Sequence, residues 1–176
     1  MYSLPKLILT DIDGVWTDGG MTYDTSGGES KRFNTSDSAG VLFAKLLNIP
    51  VGIVTGEETS IVKQRADKLG LNILHMGVKN KLSIAMNICD DLGISLSEVA
   101  YIGDDINDVR LLEVVGFSAC PLNAPSYIQD IVDYVTSKKG GDGAFREFVE
   151  YILSSNNVSV DFLLKRYHAS LESFKQ

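Results

Sequence analysis

The chain has 176 residues, 44% of them hydrophobic, which suits one domain with a single sizeable core. Its formal net charge is −7 with no basic stripe, so nucleic acid is not expected as a partner. The first apolar run is only Leu7, Ile8 and Leu9, and no stretch nears the roughly 20 apolar residues of a membrane span. Neither a signal peptide nor a membrane contact is expected, Cys89 and Cys120 read as buried reduced thiols, and a cytoplasmic location follows.

Residues 6–12 (KLILTDI) predict a buried strand that ends at carboxylates. Residues 19–34 are glycine-rich with local alternation and predict a β-hairpin turning at Ser26-Gly27-Gly28. A helix is predicted over 36–48, a buried strand over 49–56, a polar helix over 58–69 and a short strand over 72–77. The helix expected over 81–93 is stopped by Gly93, and a fourth strand, 99–104, again ends in acid. A helix over 106–115, a strand over 117–122, a helix around 124–132 and a short strand at Asp133–Ser137 follow. A glycine-rich loop, 140–143, precedes helices over 144–154 and 159–174.

Strands alternating with helices imply an α/β fold with a Rossmann-like parallel sheet, right-handed crossovers and helices on both faces. Such sheets bind ligands beyond the carboxyl ends of their strands. The polar residues at those ends are Asp11 and Asp13, then Thr55, then Asp104 and Asp105.

Asp11 and Asp13 sit two residues apart just past a strand, a spacing that puts both on one face. An acidic Asp-Gly turn has the same appearance. A carboxylate that attacks phosphorus needs its charge offset by a cation, and the leaving alkoxide needs a proton from a second group. Asp11 and Asp13 can divide those tasks, with a divalent ion letting two acids coexist with a phosphate. Thr55 is a hydroxyl at a strand end, suited to a phosphate oxygen or to a helix N-cap. Lys81 opens a helix, where it would either neutralise a transferring phosphoryl group or simply be solvated. The acids of GDDINDV (103–109) supply oxygen ligands that suit magnesium, or form an acidic helix start.

In order and placement these motifs resemble the four of the haloacid dehalogenase (HAD) superfamily: DxD, a strand-end Thr, a Lys and the GDDxxD acids. The resemblance spans roughly residues 6–150. It implies Asp11 as nucleophile, Asp13 as acid/base, Thr55 and Lys81 as phosphate ligands, and Mg²⁺ held by Asp11, Asp104 and the backbone carbonyl of Asp13. Asp105 and Asp108 would be indirect partners of the metal. The second acid, Asp13, favours a phosphatase over a dehalogenase. The core would occupy residues 1–155 and a C-terminal helical extension residues 156–176.

The intervals from Asp13 to Thr55 and from Thr55 to Lys81 have no room for a cap domain. A site left open to water is poor for phosphoryl chemistry, so either the substrate is a macromolecule or another subunit closes the site. DIDGVWTDGGMTYD, FNTSDSAG, GDDINDV and GGDGAFRE resemble the small tetrameric phosphatases of 2-keto-3-deoxy sugar acid phosphates. That branch acts on the eight-carbon octulosonate 8-phosphate or on the nine-carbon keto-deoxy-nonulosonate and N-acylneuraminate 9-phosphates. It implies a homotetramer with a cross-subunit pocket and a sugar acid phosphate as substrate.

The eight-carbon members usually carry an arginine shortly after the Thr-Gly, whereas this chain reads Thr55-Gly56-Glu57-Glu58. Glu57 would accept sugar hydroxyls, beside Gly56. Arg65 and Lys68, three apart on one helix face, would meet the sugar carboxylate from a neighbouring subunit, or would be a solvated face. Arg146 would bind phosphate or carboxylate, or cap its helix. These departures favour the nine-carbon acid, with the eight-carbon acid as the alternative. A non-catalytic regulatory relative attached to an acylneuraminate cytidylyltransferase shares the fold, but the presence of Asp11, Asp13, Thr55, Lys81 and Asp104 argues against it.

Overall fold

The computed structural model describes residues 3–173. Its first strand, β1 (Leu7–Thr10), is buried along its whole length. A strand that is apolar on both faces needs cover on both faces, which is the condition of a parallel sheet with crossover helices. The hairpin follows as β2 (Thr22–Tyr23) and β3 (Glu29–Ser30), then α1 (Asp37–Leu46), β4 (Val51–Val54), α2 (Ser60–Leu69) and β5 (Ile73–His75). The second half supplies α3 (Lys81–Leu92), β6 (Val99–Ile102), α4 (Val109–Leu112), β7 (Phe117–Cys120), α5 (Ser126–Gln129), β8 (Tyr134–Val135), α6 (Ala144–Ser155) and α7 (Val160–Ser173).

The main sheet has the order β5-β4-β1-β6-β7-β8, with every pairing parallel. The chain runs outward from β1 to β5, returns to the middle at β6, then runs outward to β8. Alternation along β1 feeds two cores. Ile8 joins Val41, Val62, Phe145 and Leu163 on the face covered by α1, α2, α6 and α7. Leu7 and Leu9 join Ala85, Leu111 and Ile128 on the face covered by α3, α4 and α5. The predicted parallel sheet with helices on both faces and a hairpin is the fold observed, with no cap domain among the described residues.

The hairpin is smaller than its sequence predicts, two residues per strand. Its turn is tied by Asp24 Oδ1, which accepts Ser26 N and Gly28 N, both at 2.8 Å. The predicted helices over 106–115 and 124–132 shrink to single turns. For the first, the reason is Asp108: its Oδ2 accepts the N–H groups of Asp104 and Asp105, which curls 104–108 into a tight turn before α4 can start. α2 starts at Ser60 because Thr59 caps it, accepting Ile61 N.

Candidate active site

β1, β4 and β6 lie side by side, so their C-terminal ends deliver Asp11, Thr55 and Asp104 to one place. This is where the strand order reverses, the crevice in which open α/β sheets bind ligands. A cavity of about 270 Å³ opens there, lined by Asp11, Asp13, Thr55, Gly56, Glu57 and Asp104. Gly19, Met21, Asp105 and Asn107 complete the lining. Gly14 holds φ +81°, and a Cβ there would run into the Asp104 carboxylate, so only glycine lets the two segments close on each other.

Lys81 begins α3, whose N-terminus Asn80 caps by accepting Ser83 N. Its side chain has no exposed surface, and its Nζ lies 2.8 Å from Asp11 Oδ2 and 2.6 Å from Asp108 Oδ1. Asp108 is buried as well and also accepts the Tyr101 hydroxyl. Both its oxygens are therefore engaged by protein donors. Sequence reasoning cast Asp108 as a remote partner of the metal, because spacing cannot tell which of three neighbouring acids turns inward. In the fold it anchors Lys81 and shapes the turn that presents Asp104.

Two buried carboxylates, Asp11 and Asp108, and the half-buried Asp104 beside one ammonium leave negative charge in excess. Burial raises Asp11 to about 6, with Lys81 pulling it down and Asp108 pushing it up. Asp104 is raised to about 8 by burial, then by Asp11 and Asp108. Burial works against the charge of Lys81, yet Asp11 and Asp108 hold its pKa above the ordinary value.

That deficit is the chemical condition for a divalent cation. Carboxylate oxygens of Asp11, Asp104 and Asp108 lie within 4.8 Å of one another. Asp11 Oδ1 and Asp104 Oδ1 are buried with no hydrogen-bond partner, which marks these two as the residues able to hold the ion. Asp108 is the weakest candidate, since its lone pairs are already taken.

Asp13 is partly exposed and is met by a residue that sequence reasoning missed. Lys31 Nζ donates to Asp13 Oδ1 at 2.9 Å and to Oδ2 at 2.7 Å. Its side chain is fully covered, while that of Asp13 is 21% exposed. Thr17 Oγ1 also points to Asp13, at 3.3 Å. The available signal was alternation along β3, which sets Glu29 and Lys31 on one face of the hairpin.

Three predicted substrate residues lie away from this cavity. Arg65 stacks over Trp16 and Phe33, at 5.8 and 5.5 Å from their centroids, and donates to Asn34 O and Ser38 Oγ. Lys68 is exposed on α2. Arg146 pairs with Glu150 at 2.8 Å and lies over Phe43, where it lines a separate groove between α1, α6 and α7. One helical turn separates Arg146 from Glu150, a spacing that lets the two side chains pair on the surface of α6. Trp16 is wholly buried, donating Nε1 to Thr10 Oγ1 and packing on Phe145, so it is a core residue.

The glycine loop 140–143 lies against the DxD segment. Gly141 N donates to Val15 O, and Gly140 N donates to Asn123 Oδ1. Asp37 accepts Arg146 N at the start of α6 and so fixes the loop from its far side.

Residues 60–148 match the family model of haloacid dehalogenase-like hydrolases. The chain belongs to this family. The dehalogenase-like chain is 34% identical over 157 residues to a 3-deoxy-D-manno-octulosonate 8-phosphate phosphatase of Haemophilus influenzae, covering 89% of this chain and 87% of that protein. It superposes on the crystal structure of the Yersinia pestis phosphatase of that name with a TM-score of 0.85, at 34% identity, over 88% of this chain and 83% of the other. The Moraxella catarrhalis phosphatase, solved with a magnesium ion, a phosphate ion and a KDO molecule, also gives a TM-score of 0.85. It is 35% identical, over 97% of this chain and 93% of its own. As in the sequence, no helix among the described residues is long and apolar enough to cross a membrane.

Proposed function

We propose that this chain is a magnesium-dependent phosphatase of a 2-keto-3-deoxy sugar acid phosphate, with 3-deoxy-D-manno-octulosonate 8-phosphate as its foremost substrate. The observation that carries the chemistry is Asp11. One of its oxygens is held by Lys81, and the other, without a protein partner, belongs to a cavity shared with Asp13, Thr55 and Asp104.

In the first step an Asp11 oxygen attacks phosphorus. The bond from phosphorus to the sugar oxygen breaks, and that oxygen leaves with the electron pair and takes a proton from Asp13. Asp13, now a carboxylate, takes a proton from a water that attacks the aspartyl-phosphate. Asp11 is released and inorganic phosphate forms. Thr55 Oγ1 and Lys81 Nζ hold phosphate oxygens as charge develops. A bound Mg²⁺, held by Asp11, Asp104 and the Asp13 carbonyl, would supply the electrostatic screening that lets phosphate approach these acids.

The substrate choice rests on the relatives, which are named for the eight-carbon acid. It displaces the nine-carbon acid that the residues after Thr55 favour. One observation keeps keto-deoxy-nonulosonate 9-phosphate as the second reading: Glu57 does line the cavity, where an acid accepts hydroxyls of a longer chain.

The cavity is open and no cap covers it, so the reading includes a homotetramer, in the cytoplasm, whose neighbour brings Arg65 and Lys68 to the sugar carboxylate. Light scattering tests the assembly, and a monomer at working concentration removes that role from both residues. The deciding assay is phosphate release from both sugar acid phosphates, with Mg²⁺ and with EDTA, for the native chain and Asp11→Asn. Metal-dependent turnover lost in the variant supports the mechanism, and the faster substrate names the branch. Turnover of neither phosphate by the folded chain overturns the proposal.

A further inference from the structure

We propose that Lys31 is a positioning residue for Asp13: from the hairpin it fixes the carboxyl group for proton transfer, and it makes that placement depend on the hairpin lying over the site. The inference rests on the acid/base role given to Asp13 above.

Lys31 is the buried polar tie between the hairpin and the DxD segment, beside an exposed pairing of Arg32 with Asp18 at 3.8 Å. Its ammonium bridges both oxygens of Asp13, at 2.9 and 2.7 Å, with no exposed side-chain surface. Glu29, the neighbour on the same face of the strand, comes to 4.0 Å of the same Nζ, and its Oε1 is buried with no hydrogen-bond partner. Two carboxylates thus converge on one covered ammonium. A cation taken out of water at this cost holds its geometry only while its partners stay in place.

Without Lys31, Asp13 keeps just the Thr17 hydroxyl, at 3.3 Å, which is long for an O–H···O bond. A carboxyl free to change rotamer no longer faces the leaving oxygen at the moment of transfer, and misplacement of this kind is expensive in rate. The hairpin has two residues in each strand, and a ribbon that short is not stable by itself. Lys31 therefore links the seat of the hairpin to the aim of Asp13.

A plain structural ion pair would also be buried, so the test must separate anchoring from aiming. Lys31→Met, Lys31→Arg, Asp13→Asn and the Lys31→Met/Asp13→Asn double variant are assayed for kcat and KM on the better of the two sugar acid phosphates. Melting temperature and size are checked for each. In Lys31→Met, kcat is expected to fall roughly 10- to 100-fold with KM changed less than about threefold. The double variant is expected to match Asp13→Asn within about twofold, because Lys31 has nothing to aim once the carboxylate is gone. Lys31→Arg, which keeps the charge and two donors, should recover at least about threefold of the loss.

A Lys31→Met kcat within about twofold of native, or a double variant whose loss is the product of the two single losses, overturns the inference. If Lys31→Met does not fold, Lys31→Gln carries the same cycle. If Asp13→Asn itself retains native kcat, the acid/base assignment fails and the role of Lys31 goes with it. If Asp13→Asn is impaired and Lys31→Met is not, the inference alone fails.

Discussion

Lys81 Nζ lies 2.6 Å from Asp108 Oδ1, and neither side chain has any surface in contact with solvent. The same ammonium reaches Asp11. Removing it strands two buried carboxylates at once. Lys81→Met should destabilise the metal-free chain by about 3–5 kcal/mol, the usual result of deleting one partner of a buried ion pair. Urea unfolding in EDTA measures this. Added Mg²⁺ should return part of the loss by binding the stranded acids. A change below about 1 kcal/mol would mean that the ammonium is not needed to hold these acids in the core.

Metal binding should release protons. Burial, then Asp11 and Asp108, raise Asp104 to about 8 in the metal-free chain, so at pH 7 it is mostly protonated. An incoming cation must displace that proton. Calorimetric titration of Mg²⁺ at pH 7, in two buffers of different ionisation enthalpy, should show close to one proton released per ion, falling towards none above about pH 9. Affinity should rise with pH through this window. A proton count of zero at pH 7 would mean either that Asp104 is already ionised in the metal-free chain or that the ion binds elsewhere.

Asp37 offers a test that does not touch the cavity. It is wholly buried and caps α6 through Arg146 N, and burial raises it from 3.8 to about 6 against the pull of that N–H and of Arg65. A folded-state value above the unfolded one means that the folded chain binds the proton more tightly. This contribution is therefore present below about pH 4 and is lost as pH climbs through 6. Asp37→Asn keeps an oxygen for the cap and lacks the titration. Its stability relative to native should climb by as much as about 3 kcal/mol between pH 4 and 7, read by chemical denaturation at each pH. A flat difference would show that Arg65 and Arg146 fully compensate the charge.

Gly140 packs so tightly on the DxD segment that a Cβ would overlap the carbonyl oxygen of Gly14 and come within 2.8 Å of Thr17 O. Gly140→Ala must push the loop off the backbone that carries Asp13. Phosphate release should drop about tenfold or more, and stability should fall by about 1–3 kcal/mol, as for other overpacked sites. An unimpaired Gly140→Ala would mean that the loop slides without moving the DxD segment.

The centre of the site was legible because three strand ends each carry an acid or a hydroxyl, and a parallel sheet can only bring such ends together. Asp11, Asp13, Thr55 and Asp104 meet there. Lys81 was legible only through the resemblance, since a lysine at a helix start is ordinarily solvated. Lys31 was not legible: alternation gives the face of a hairpin but not the direction in which the hairpin folds. Arg65 was read as a surface cation because its helix period pairs it with Lys68. The rings of Trp16 and Phe33, which it covers, come from distant segments that no local pattern connects. Arg146 stands beside the glycine loop in sequence, but in the fold it faces Glu150 and the groove between α1, α6 and α7.

Strands β4, β1 and β6 lie side by side within the sheet, and they carry the reacting groups. The hairpin, the turn after Thr55 and the helices α2 and α7 stand outside that trio. A lineage that needed a longer or shorter sugar would therefore have its variable parts on the periphery, where insertions and charge changes leave the sheet register untouched. The sheet register that sets Asp11, Thr55 and Asp104 is independent of the turn after Thr55 and of α2 and α7, so those parts can drift while the reacting groups are held.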